Sequence, residues 1–157
     1  MTREAYLVFG TSRTNRTKVV QYLEEQFAKE RRQETVLIDI DHLVEKILEE
    51  GQNVKQVLDS YITEYLDYAY LHLRKVIYSC SAAQKGERKK ILKTLQSYNY
   101  SVVGYWTKTS GADSDPKDIH KLEKVEPSYE EGFTDLKEVE LTRNGIKTAK
   151  LKDLVLN

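Results

Sequence analysis

The chain has 157 residues, with 25 basic and 25 acidic side chains and 39% hydrophobic content. That length suits one domain with a sizeable core, and the cancelling charges exclude a global field that would draw it to nucleic acid or a membrane surface. No run approaches the ~20 apolar residues that a bilayer span requires, and MTREAYLVFG is too short in apolar residues for a signal peptide, so a soluble, cytoplasmic protein is expected. Cys80 stands alone, which excludes an internal disulfide, and His42, His72 and His120 lack metal-site spacing.

The run Ala5 to Phe9, ended by Gly10, reads as a strand, and a helix follows from Thr17 to about Arg31 with Val20, Leu23 and Phe27 on one face. TVLID, residues 35 to 39, reads as a second buried strand. Asp41 is placed to cap a helix through Glu50 that turns Leu43, Ile47 and Leu48 inward, and Gly51 stops it. From Asn53 to about Arg74 the spacing of Val54, Leu58, Ile62, Leu66, Ala69 and Leu73 predicts a helix, followed by the strand KVIYSC, residues 75 to 80. Gln84 to Tyr98 forms a basic helix with Ile91, Leu92 and Leu95 buried, and YSVVGYW, residues 100 to 106, is a further strand. This alternation predicts an α/β fold, a parallel sheet with helices on both faces. TKTSGADSDPKD, residues 107 to 118, has turn chemistry throughout and reads as a mobile loop, followed by a short helix over about 119 to 124. Lys137 to Arg143 is a strand, and the turn pair Asn144 and Gly145 leads into 146 to 151 as a C-terminal antiparallel hairpin.

GTSRTNRTK, residues 10 to 18, lies between the first strand and the first helix, where a phosphate-binding loop would lie. Set against G-x-x-x-x-G-K-[ST], it supplies Gly10, then Asn15 for the second glycine, Arg16 for the lysine and Thr17 for the magnesium-binding hydroxyl. The candidate nucleotide- or phosphate-binding residues are Gly10, Thr11, Arg13, Asn15, Arg16, Thr17 and Lys18, with Thr17 as candidate magnesium ligand. Asn15 tolerates a left-handed turn but crowds phosphate, and the planar fork of Arg16 does not replace a compact ammonium. Arg13, Arg16 and Lys18 sit near a helix N-terminus, where each cation costs a few tenths of a kcal/mol unless something neutralises it. The competing reading is a solvated basic turn.

Three further segments strengthen the pattern: VLIDIDHLVEKI at 36 to 47, VIYSCSAAQKGERKKILKTLQSYNYSVVGYW at 76 to 106, and EPSYEEGFTDLKEV at 126 to 139. With the loop, they resemble the P-loop kinases of the polynucleotide 5'-kinase type and their small nucleotide-kinase and zeta-toxin relatives. The resemblance implies a three-layer P-loop NTPase-like sheet in a single domain over 1 to 157, with ATP and magnesium as cofactors. It places the general base at Asp41, a position that N-capping also explains. It also places Ser81 and Arg88 on the acceptor or second-site side, and the lid at 107 to 118. The departures fall where chemistry would occur. The family's Asp-Thr-Asn corresponds to Cys80, Ser81 and Ala82, the arginine three residues after the base is Val44, and the truncated lid offers only Lys108 and Lys117. Phosphoryl transfer depends on positioned cations, so a degenerate Walker A loop together with these losses predicts a severe loss of rate.

Eleven tyrosines are the one compositional bias, and Tyr61, Tyr65 and Tyr68 share a helix face that suits base stacking or, more simply, packing. Lys85, Arg88, Lys89, Lys90 and Lys93 make residues 84 to 94 basic, while six carboxylates between Glu126 and Glu140 suit them as an opposing face. Three functional readings remain open. The leading one is a catalytically impaired kinase-like domain, a pseudoenzyme, that binds a nucleotide, a nucleic-acid end or a protein partner. The second is an active ATP-dependent nucleotide or polynucleotide kinase. The third is a pure protein-interaction scaffold. None of them involves a membrane.

Overall fold

The computed structural model describes residues 3–31, 35–82, 84–107, 127–142 and 145–150. In chain order the elements are β1 (Arg3–Phe9), α1 (Arg13–Arg31), β2 (Val36–Asp39), α2 (Ile40–Glu49), α3 (Val54–Leu71), β3 (Val76–Cys80), α4 (Lys85–Ser97) and β4 (Tyr100–Thr107). A 3-10 turn at Tyr129–Glu131 precedes β5 (Asp135–Thr142) and β6 (Gly145–Lys150). The strands form one sheet in the order β2-β3-β1-β4-β5-β6. The first five are parallel, and β6 closes the edge antiparallel to β5.

β1 lies between β3 and β4 and is covered on both faces, which is why AYLVF is a continuous apolar run rather than an alternating one. Its residues divide by the two-residue period of a strand. Ala5, Leu7 and Phe9 join Leu43 of α2, Leu66 and Ala69 of α3, and Leu92 and Leu95 of α4 on one face. Tyr6 and Val8 meet Val19, Val20, Leu23 and Phe27 of α1 on the other. The predicted α/β architecture with helices on both faces is therefore the observed one. Parallel register brings Phe9, Cys80 and Trp106 level with one another, so β1, β3 and β4 end at the same edge of the sheet. In open α/β sheets ligands bind outside that carboxyl edge.

Several boundaries differ from the sequence expectation. α1 begins at Arg13, four residues earlier than Thr17, because the Ser12 hydroxyl accepts from the Asn15 N–H at 3.2 Å and caps the helix there. α2 begins at Ile40 and is capped by Asp39, whose carboxylate accepts from the His42 N–H, so Asp41 lies within the first turn. Leu48 is 61% exposed rather than inward, since α2 presents only Leu43 and Ile47 to the core. α3 stops at Leu71, and Leu73, at φ +56°, lies beyond its end and is exposed. Thr142 pairs with Gly145, which makes Gly145 a strand residue and not part of the turn. The lid-like segment after Thr107 and the short helix at 119 to 124 lie outside the described residues. Among the described residues no helix is long and apolar enough to cross a membrane.

Candidate functional site

Gly10 leaves β1 at φ +149°, and a Cβ there would stand 2.0 Å from the Thr107 Oγ1 and 2.5 Å from the Thr107 carbonyl oxygen. Only glycine permits that approach. The Thr107 hydroxyl donates to the Phe9 carbonyl at 3.2 Å, and the Gly10 N–H donates to the Ser81 carbonyl at 3.1 Å. The loop is thereby tied to β4 on one side and to the end of β3 on the other.

Arg16 is the loop's principal occupant. It is 3% exposed, and its guanidinium donates to the Gly10 carbonyl and to the Asp41 carboxylate, two bonds that hold the fork against the loop backbone. Nε has no partner among the described residues. Arg13, one turn earlier and exposed, pairs with Glu45 of α2, whose carboxyl is lowered first by that hydrogen bond. Two of the three cations near the N-terminus of α1, Arg13 and Arg16, are thus neutralised by carboxylates of α2, within the chain itself. Asn15 is half-buried inside the first helical turn. The Thr17 hydroxyl donates to the Arg13 carbonyl at 3.0 Å, while Thr11 and Lys18 are exposed. The structure therefore brings Gly10, Arg16 and Asp41 into contact, with Arg13 alongside through its pair with Glu45.

Arg88 lies on the opposite side of Phe9. It is 1% exposed; its Nε donates to Glu131 at 2.6 Å and Nη1 donates to the Ala82 carbonyl at 3.1 Å, with the guanidinium 5.7 Å from the Phe9 ring. Glu131 also accepts the Ser128 N–H at 2.6 Å in a capping box, and Phe133 stacks on Phe9 at 5.7 Å. The basic helix and the acidic segment do meet within the fold, through this buried pair and through Gln96, whose side-chain amide donates to the Gly132 carbonyl at 3.0 Å. The segment PSYEEGF, residues 127 to 133, thus fastens α4 to the tip of β1. Ser-x-x-Glu before an apolar residue was a readable capping signal, but Glu131 as the partner of Arg88, 43 residues away, was not.

A cleft of about 480 Å³ opens beside the loop, between α2, α3, β3 and α4. Ile40, Leu58, Ile62 and Ile91 supply apolar walls, Tyr78 and Cys80 the floor, and Asp41, Ser81, Asp59, Glu87 and Lys90 polar edges. Burial, more than the nearby carboxylates, pushes the Cys80 thiol up to about 12, which keeps it protonated and unreactive. Asp59 was not singled out from sequence, and Glu87 and Lys90 were read only as part of the charged helix at 84 to 94, because only packing of three helices against β3 turns them toward one space. No group of three or more His, Cys, Asp or Glu side chains suited to a metal is found among the described residues.

Five parallel strands, helices on both faces, and a glycine-ended first strand leading into a helix at the carboxyl edge define a P-loop NTPase-like fold. The chain matches a solved structure from the PezAT chromosomal toxin–antitoxin system of Streptococcus pneumoniae with a TM-score of 0.60 and 16% identity, over 94% of this chain and 71% of that one. At that identity the likeness is one of fold alone. No family model and no curated protein matches the chain.

Proposed function

We propose that this is a single, cytoplasmic P-loop kinase-like domain, related to the polynucleotide-kinase and zeta-toxin types, that has lost efficient phosphoryl transfer and works by binding. Its candidate partners are a nucleotide, a nucleic-acid end or a protein; the likeness to a toxin–antitoxin structure supports a protein among these. The observation that supports the reading is Arg16, buried between the Gly10 carbonyl and Asp41. Transfer requires a loop cation aimed at phosphate and a base free to take a proton. Here the cation and the candidate base neutralise each other.

ATP and magnesium do not fit this arrangement. The candidate metal ligand Thr17 is turned to a carbonyl of its own helix, and Asn15 is helical rather than part of an open turn before the helix. The adjoining cleft, with Asp41 and Ser81 on its edge, is the face we assign to binding. One observation favours an active kinase instead: the Asp41 side chain is 36% exposed and lines that cleft, where an acceptor hydroxyl would lie.

The thermal midpoint with ATP, GTP or ADP, with and without magnesium, separates the two, because a ligand of the native state raises it by mass action. The expected result is no magnesium-dependent rise, in wild type or in Arg16→Ala. A magnesium-dependent rise lost in Arg16→Ala, with turnover abolished by Asp41→Asn, would establish the active kinase.

A further inference from the structure

The cleft has features that decide what it can hold. Its volume of about 480 Å³ is that of a small-molecule site, with apolar walls and a polar, charged rim. At its floor Tyr78 is only 5% exposed, yet its phenol takes no hydrogen bond among the described residues. Its oxygen is not sealed from solvent and so faces the open cleft, where a polar group of a ligand can replace water as its hydrogen-bond partner. The charge of Asp41 is matched by Arg16. That leaves Asp59 and Glu87, neither in an ion pair among the described residues, against the single ammonium of Lys90. At the floor, after burial and Cys80, Asp59 helps raise the Tyr78 phenol; Glu87 helps raise the Cys80 thiol, which Arg16 lowers more strongly from the loop side.

We propose that the cleft binds a small unphosphorylated molecule with an apolar face and a hydroxyl or protonated amine, and that it turns phosphate monoesters away. The apolar face lies on Leu58, Ile62 and Ile91, the polar group bonds the Tyr78 phenol, and Asp59 and Glu87 attract a cation while repelling a dianion. This rests on the assignment of the cleft as the binding face, and it excludes nucleoside monophosphates and nucleic-acid 5'-phosphates as its occupants.

Benzylamine, benzyl alcohol and benzyl phosphate share one ring and differ in charge, so amide NMR titrations of the full chain with each test the proposal. The amine and the alcohol are expected to shift the signals of Ile62, Tyr78 and Ile91, with benzyl phosphate weaker by about tenfold or more. Asp59→Asn with Glu87→Gln, both at exposed positions, narrows that gap. Ile62→Trp, which fills the cleft, removes the response to all three. Benzyl phosphate binding as well as the amine, a response that survives Ile62→Trp, or no response at these residues from any probe overturns the proposal. Such a failure leaves the closed loop untouched, whereas a magnesium-dependent nucleotide effect would overturn the loop reading without changing the benzylamine result.

Discussion

Arg88 and Arg16 are both buried guanidiniums, but their partners sit in different surroundings. The side chains of Arg88 and Glu131 are at most 2% exposed, so removing one strands the other's charge out of water. Arg88→Met is expected to cost about 3–5 kcal/mol in urea unfolding, and Glu131→Gln a similar amount. The double variant should cost clearly less than the sum, because both singles break one interaction. Additive costs would mean that the pair is not a unit. Asp41, by contrast, is 36% exposed, but its loss leaves the 3%-exposed Arg16 guanidinium with the Gly10 carbonyl and no carboxylate, so Asp41→Asn is expected to cost about 3 kcal/mol, the lower end for breaking a buried pair. The sequence identified Arg16, Asp41 and Arg88 as notable but not their partners. A charged side chain's partner depends on which helix packs across from it, and neither spacing nor composition encodes that directly.

The elements themselves were more legible. Every strand and α-helix that falls on described residues was read at nearly its observed place, because the burial of each face imposes a period of two or of 3.6, whereas the 3-10 turn at Tyr129–Glu131 was not read. Ends were less certain. The start of α1 depended on whether GTSRTN stays open or coils, and Ser12 decides it by taking the Asn15 N–H. Ser12→Ala is expected to lower stability by about 1 kcal/mol, measured by thermal or urea unfolding. A change under about 0.3 kcal/mol would mean that the helix begins later, as a phosphate-binding loop requires. The same local rule misled at α2, where Asp39 and Asp41 are both competent caps and only the chain's exit from β2 selects Asp39.

Across the whole molecule, burial makes the fold sensitive to base. The Cys80 thiol, ordinarily at 9.0, is pushed to about 12, so the native state keeps a proton that the unfolded chain releases. The stability tied to this proton is complete below pH 9 and is lost as pH rises towards 12. Tyr78 and Tyr105 are raised also, by burial first, and add to the decline above 10. The thermal midpoint of Cys80→Ala should therefore fall less steeply than wild type between pH 9 and 10. Equal slopes would show that the thiol is hydrated in the native state.

Hydrophobic periodicity and the glycine after β1 were enough to specify an α/β sheet and the edge at which a site would form, because these follow from interactions between residues close in the chain. Whether that site stood open or closed was decided only when α2 packed beside α1. That contact set Asp41 against Arg16 and Glu45 against Arg13, and it placed the chain's own carboxylates where an external anion would otherwise have been required.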